Sequence, residues 1–305
     1  MSWEPHTVVS EEYLDPGPVG ALTALLGSGA PPVGVGDPLP PLWHWVALPR
    51  WPAAAETGSD GHPRRGSFLP PVELPRRMFA GGEVRFSGVL TVGETVRREA
   101  RVLSVTPKQG RSGRLVAVVV EITLSGADGT VVERQDLLYR EAAIPGTAPP
   151  PPTFEPVGAA LARLGAGAWE LRTDPVVLMR FSAATANAHR IHYDWPYATG
   201  VEGYPGLVVH GPLTTLALAE TLRVDAPRPP VLLRHRNLAP IFCGSTIGLG
   251  PRSVPLAGED GASDAPVRLG APATPEAERT AIGADSTIHA VLTAAFAPPE
   301  PDPHA

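Results

Sequence analysis

Cysteine is almost missing from this sequence: Cys243 is the single one in 305 residues. No internal disulfide framework can form, and such usage fits a reducing compartment. Positive charge is also short. Lys and Arg number 25 against 31 Asp and Glu, a formal net charge of −6. Binding a phosphate backbone needs a basic face, so nucleic acid is excluded as the main partner. Long apolar runs are lacking too. The longest, Leu115 to Ile122, is interrupted by Glu121 and falls far short of the roughly 20 residues of a membrane helix. Met1 to Asp15 holds Glu4, Glu11, Glu12 and Asp15 without a basic flank or an apolar core, so it does not read as a signal peptide. The expectation is a soluble cytoplasmic protein that does not engage a membrane.

Proline, by contrast, is abundant: 38 residues, with 32 glycines. That is more than double the usual ~5% for proline, and it excludes coiled coils and long helical bundles. Hydrophobic residues make up 43% and the mean hydropathy is +0.01, enough for a packed core. The length fits about two domains, or one large one. Pro49 to Pro63 reads as a surface loop. Ala143 to Pro156 contains four consecutive prolines, Pro149 to Pro152, which favour a stiff extended linker. The expected division is a first domain at 1–148, a linker at 149–156 and a second domain at 157–305, with a frayed end from Pro298 to Ala305.

The first half reads as a four-strand antiparallel meander: Glu83 to Leu90, Val96 to Val105, Leu115 to Leu124 and Thr130 to Tyr139. Turns fall at Gly93-Glu94, Gly110 to Gly113 and Gly126 to Gly129. Pro18 to Leu26 predicts a short helix stopped at Gly27. In the second half, Val176 to Ala184, Val231 to Leu238, Ser245 to Leu249, Ala265 to Leu269 and Ser286 to Phe296 read as strands. Gly211 to Val224 predicts the best helix of the chain, with Pro212 in its first turn. The class is α+β, with a curved antiparallel sheet in each half and one long helix in the second.

Chemistry concentrates between Arg180 and Leu213, which holds His189, His192 and His210 among nine histidines, and Tyr193, Tyr197 and Tyr204. Asn187 to His192 reads as a loop at a strand end. Histidine titrates closest to working pH, which general acid–base catalysis requires. His210-Gly211-Pro212 opens the long helix. Proline has no N–H, so Gly211 is the exposed donor at that positive end, and its bare Cα admits a ligand oxygen. Such a donor suits a developing oxyanion. A zinc site on His189 and His192 is not expected, since a third ligand at suitable spacing is missing, and no cofactor is expected.

These residues carry a resemblance. Asn187 and His192 lie five apart, His210-Gly211 opens a helix, and Gly203 to Val209 leads into it. The segment resembles the catalytic stretch of the R-specific enoyl-CoA hydratase and MaoC-like dehydratase family. It is most similar to the double hot-dog branch of mesaconyl-CoA and itaconyl-CoA hydratase-like proteins with an N-terminal dehydratase-like domain. Pro41 to Trp45, Gly61 to Gly66, Phe68 to Pro71, Leu74 to Met78, Gly110 to Gly113 and Tyr139 to Glu141 resemble that branch's first half. The resemblance spans roughly residues 15–250; Ala257 to Asp264 and Ala271 to Glu278 read as variable loops.

The resemblance implies a double hot-dog fold, its N-terminal helix short, and a hydro-lyase acting on a short, branched or dicarboxylic enoyl- or 3-hydroxyacyl-CoA or acyl-carrier-protein thioester. His192 is then the base, Asn187 orients water and the Gly211 N–H is the oxyanion donor. His189, Tyr193, His210, Pro212, Arg76 and Arg77 are expected around the substrate, the arginines as candidates for CoA phosphates with Arg64 and Arg65. A homodimer is an expected assembly. Asn187 stands where the wider family has a carboxylate; Asp194 or His189 are candidates to supply the missing charge. Trp43 and Trp45 read as core or interface anchors, and Cys243 as a buried strand residue. Two other functions stay open: a thioesterase using Asp194 or Glu220, and a non-catalytic acyl-thioester-binding subunit.

Overall fold

The computed structural model describes residues 3–110, 113–144, 147–226, 228–251 and 277–297. The chain order is β1 (Thr7–Tyr13), α1 (Pro16–Leu26), α2 (His44–Ala47), β2 (Arg76–Val89), β3 (Thr95–Gly110), β4 (Gly113–Ser125), β5 (Asp128–Arg140), β6 (Leu161–Gly165), β7 (Ala168–Leu171), α3 (Pro175–Ala184), α4 (Gly211–Asp225), β8 (Pro230–Asn237), β9 (Ile247–Gly250), β10 (Ala277–Gly283) and β11 (Ile288–Phe296). The eleven strands form one antiparallel sheet in the order β1-β3-β4-β5-β2-β8-β11-β10-β9-β7-β6.

The four expected strands are present as β2 to β5, longer than their alternating cores, but only β3-β4-β5 is a meander: β2 does not pair with β3 and instead lies beyond β5, between it and β8, while β1 takes the free edge of β3. The Gly126 to Gly129 hairpin is closed by a Gly126 N–H to Gly129 carbonyl bond. The halves meet where β2 pairs with β8, from Gly81 opposite Arg236 to Arg85 opposite Leu232. Residues 147–158, including the proline run, carry no regular structure. α1 follows its sequence signals: Asp15 accepts the Gly17 N–H at 2.8 Å, and Gly27 ends the helix in the left-handed region. α4 is buried along most of its length, through Leu213, Leu216, Leu218 and Leu222, and joins the main core with Trp43, Trp169 and Phe181.

One element differs from expectation. Val176 to Ala184 is not a strand but the body of α3. Asp174 caps it, accepting the Val177 N–H at 2.7 Å, and Pro175 occupies the first position. Val177, Leu178, Phe181 and Ser182 are buried at helical spacing. The paired valines read as β-branched strand formers, but the cap and the tertiary face override that preference. Asn187 therefore follows a helix end. Cys243 is half-buried in a turn after Phe242, not within a strand. Ala277 and Glu278 begin β10 instead of closing a loop. The strand expected at Ala265 to Leu269, the loop at Ala257 to Asp264, most of Ala271 to Glu278, the centre of the Gly110 to Gly113 turn and the end from Pro298 lie outside the described residues. Among those described, no helix is long and apolar enough to cross a membrane.

Candidate active site

A cavity of about 870 Å³ lies against the junction of the two halves. That volume falls within the range of small-molecule sites. Its walls include Asn187, His189, His192, Gly211 and Pro212 from the second half and His62, Arg76, Arg77 and Phe79 from the first.

His192 ends a short 3₁₀ turn, Arg190–His192, between α3 and α4. Its Nδ1–H donates to the Val208 carbonyl at 2.7 Å. That bond fixes the tautomer and leaves the Nε2 lone pair free as the basic atom. Burial, and then the neighbouring His189, push the His192 pKa down to about 3, against the opposing pull of the Val208 carbonyl. The ring is thus a neutral base throughout ordinary pH. Its face stacks on His210, with centroids 3.5 Å apart and planes 17° from parallel. His210 is fully buried, shares a 2.9 Å hydrogen bond with Ser182 Oγ, and is kept neutral by burial beside the other two rings.

Gly211 begins α4 directly after His210. A Cβ here would lie 2.8 Å from Asn237 Nδ2, so glycine is required by close approach. Asn237 in turn donates from Nδ2 to the Phe79 carbonyl at 3.1 Å, which ties β8 to β2 beside the helix start. The first N–H groups of a helix have no intrahelical acceptor, and here Gly211, the first residue, belongs to the cavity wall.

Asn187 accepts the His189 N–H through Oδ1 at 3.0 Å, turning the chain toward His192. Its Oδ1 is thereby occupied, and Nδ2 remains as a donor. His189 Nε2 lies 3.4 Å from Glu202 Oε1. Glu202 also pairs with Arg76, whose guanidinium sits over the Tyr204 ring, 4.9 Å from its centroid.

The loop at Pro49 to Pro63 contributes what the sequence did not reveal. Gly61 has φ of 90°, and a Cβ on it would lie 1.8 Å from the Ala188 carbonyl oxygen. The loop tip is thus pressed onto the Ala188-His189 backbone, and the Asp60 carbonyl accepts the Arg190 N–H at 2.9 Å. This delivers His62 face-on to His189, centroids 4.0 Å apart. Asp60 Oδ2 lies 3.1 Å from His62 Nδ1. Burial works against the Asp60 anion, but hydrogen bonds from the His62 ring and backbone, with the charges of His62 and His189, hold its pKa well below the usual carboxylate range. Burial and Arg77 push His62 far down despite Asp60.

Asp60, His62 and His189 bring ligand atoms within 4.8 Å of one another. Metal binding uses lone pairs in the imidazole planes. The His62 and His189 planes are only 33° from parallel and lie face to face, so the lone pairs do not converge on one point. The group reads as a hydrogen-bonded ring stack.

The same cavity has a second polar patch on the first-half side. Glu133 accepts from Trp45 Nε1 at 2.8 Å and Gln135 Nε2 at 2.9 Å, and its Oε2 lies 3.1 Å from His44 Nε2. Trp45 therefore lines the cavity, whereas Trp43 is a buried core anchor.

With this geometry in place, comparison with known proteins gives the family. The profile of hydroxyacyl-thioester dehydratase type 2 matches residues 42–243. The chain belongs to the hydroxyacyl-thioester dehydratase type 2 family. It is 48% identical over 217 residues to a mesaconyl-C(4)-CoA hydratase of Chloroflexus aurantiacus, covering 70% of this chain and 74% of that protein. It is 36% identical over 77 residues, 24% of the chain and 26% of the relative, to the mitochondrial hydroxyacyl-thioester dehydratase type 2 of Schizosaccharomyces pombe. In fold it is similar to HtdX of Mycobacterium tuberculosis, with a TM-score of 0.60 at 19% identity, covering 96% of this chain and 100% of that one. A MaoC-like dehydratase gives 0.61 at 12% identity, covering 97% and 98%. The architecture is the α+β double hot-dog of MaoC-like dehydratases.

Within this dehydratase fold, Asn187, His189, His192, Gly211, Pro212, Arg76 and Arg77 share one cavity. Tyr193 and His210 do not line it. Tyr193 is half exposed and donates its hydroxyl to the Ala188 carbonyl at 3.0 Å, while His210 stands behind His192. Asp60, His62, Glu202 and Asn237 escaped the sequence reading. The Asp60-Gly61 turn was the local signal, but its docking partner lies well over a hundred residues away.

Proposed function

We propose that this protein adds water across, or removes it to form, the α,β-double bond of a short acyl-CoA or acyl-carrier-protein thioester. The thioester oxygen sits at the Gly211 N–H, where the helix N-terminus stabilises the enolate. His192 Nε2 takes a proton from water, the hydroxyl oxygen bonds to the β-carbon, and the same proton passes to the α-carbon. One water is thereby added, and dehydration reverses each step. Asn187 Nδ2 orients the water. The observation that carries this reading is the His192 Nδ1 bond to Val208, which leaves a neutral imidazole lone pair facing a cavity shared with Gly211.

The two carboxylates that the sequence offered for a thioesterase are engaged elsewhere, and Glu133, which does line the cavity, is held by Trp45, Gln135 and His44. Asp194 pairs with Arg190 at 2.7 Å, and Glu220 pairs with Arg223 at 2.7 Å and accepts from Ser28. Neither lines the cavity. The resemblance to the mesaconyl-C(4)-CoA hydratase points to a branched dicarboxylic acyl group. Mixing purified protein with mesaconyl-C(4)-CoA and crotonyl-CoA should bleach the enoyl-thioester absorbance without releasing free thiol. Thiol release, or no change with any enoyl-CoA, would sink this reading.

A further inference from the structure

Five arginines line the cavity near its polar walls: Arg50, Arg76, Arg77, Arg98 and Arg140. Three have partners within the fold. Arg50 pairs with Glu12 and donates to Ser10 Oγ at 2.8 Å. Arg76 pairs with Glu202 at 3.2 Å. Arg140 is engaged within the fold. Arg98 has no ion pair but feels Glu133, a carboxylate of the cavity wall itself. Arg77 has no carboxylate beside it in the cavity wall. Among the described residues no carboxylate lies within the 4 Å of an ion pair with it; Asp60 is near enough to be felt but is taken by His62. Its cross-strand neighbour is Tyr139, whose phenol oxygen favours the guanidinium but carries no charge, and whose ring is covered by Arg65. A guanidinium enclosed by protein without a counter-ion is costly, and a ligand anion would offset that cost.

Its place along the strand bears on which anion. Arg77 and Phe79 are two positions apart on β2, and the Phe79 carbonyl is bonded to the Asn237 amide that packs on Gly211. Two strand residues span about 7 Å between Cα atoms, so the backbone bearing Arg77 lies one such step from the wall that holds Gly211. A four-carbon diacid whose thioester oxygen meets Gly211 carries its second carboxylate a short way along the same cavity. Arg77 also neighbours His62, which stacks on His189 beside His192. The CoA phosphates lie at the far end of the pantetheine arm, away from these reacting carbons.

We propose that Arg77 receives the second, free carboxylate of a dicarboxylic acyl thioester, and so selects such substrates over neutral ones. This rests on the thioester reading above and assigns the acyl class within that site, in place of the phosphate role expected for Arg77.

Calorimetry with two saturated, unreactive probes separates the two claims. Succinyl-CoA carries the carboxylate, and butyryl-CoA of the same chain length does not. The native protein should bind succinyl-CoA about 10- to 10²-fold more tightly, the usual worth of a charge-assisted contact. R77M should bring that ratio close to one, and R77K should retain part of it. Equal affinity of the native protein for both probes overturns the proposal without any variant having to fold. A ratio unchanged in R77M, or both affinities falling together, also overturns it. Because neither probe is turned over, these outcomes do not depend on whether the protein is a hydratase.

Discussion

The neutral state of the His192 ring comes from its neighbours, not from its own ordinary pKa, and it is this state that the proposed role as base uses. The Val208 carbonyl takes Nδ1–H, and the buried, stacked surroundings resist a positive charge. With a pKa near 3, the ring stays competent far below neutrality. The kcat/KM profile should therefore show no acid limb between pH 5 and 7, as the free enzyme's base titrates below that window. Steady-state rates across that range test it; half-loss near pH 6.5 would assign the base to a solvated histidine. Asn187 bears on the same point. An amide here adds no second charge beside the three rings, so in the proposed mechanism the proton transfers fall to His192.

Two segments with no catalytic side chain of their own shape the site. α3 ends where the His192 loop begins, and the loop bearing Asp60 and His62 clamps that turn from the first half. Gly61 is the clamp's tightest point. Gly61→Ala should drive the loop off Ala188 and lower kcat by about ten-fold or more, since small displacements of reacting groups are costly. The variant should still fold, and comparing its circular dichroism and turnover with native protein tests this.

Here the reach of the sequence is plain. The strands β2 to β5, α1 and α4 were legible because hydrophobic alternation, prolines and caps are local signals; the pairing of β2 with β5 instead of β3 was not, because strand order is set by distant contacts. Asn187, His192 and Gly211, picked out by spacing and a resemblance, share one cavity. α3 was misread because Val176 and Val177 outweighed the Asp174-Pro175 start. The Gly61 contact was hidden because nothing local to it reports a partner at Ala188. Arg76 and Arg77 are adjacent and chemically identical in sequence; only the fold gives one Glu202 and leaves the other without a carboxylate partner.

At the scale of the whole molecule, β2–β8 pairing joins the halves and brings Arg77, His62 and Phe79 into one cavity with His192 and Gly211. The same enclosure links stability to pH. His62, His192, His210 and His235 all have folded-state pKa values below the unfolded value of about 6.5, those of His192 and His235 near 3 and 4. The unfolded chain then binds more protons in acid. Stability is complete above about pH 6.5 and declines as pH falls toward 4, by up to ~1.4 kcal/mol per pH unit for each such histidine. Thermal unfolding from pH 7.5 to 4.5 should show Tm falling steadily below about 6.5; a flat Tm would mean these rings are hydrated and titrate freely.

The central claim is that one neutral imidazole moves the proton while a main-chain amide holds the enolate. Enoyl-thioester absorbance with mesaconyl-C(4)-CoA, followed for native protein and for His192→Ala at matched folding, tests it most directly. The expected result is hydration by the native protein and a loss of at least about 10²-fold in the variant. Near-native turnover without the imidazole would contradict it.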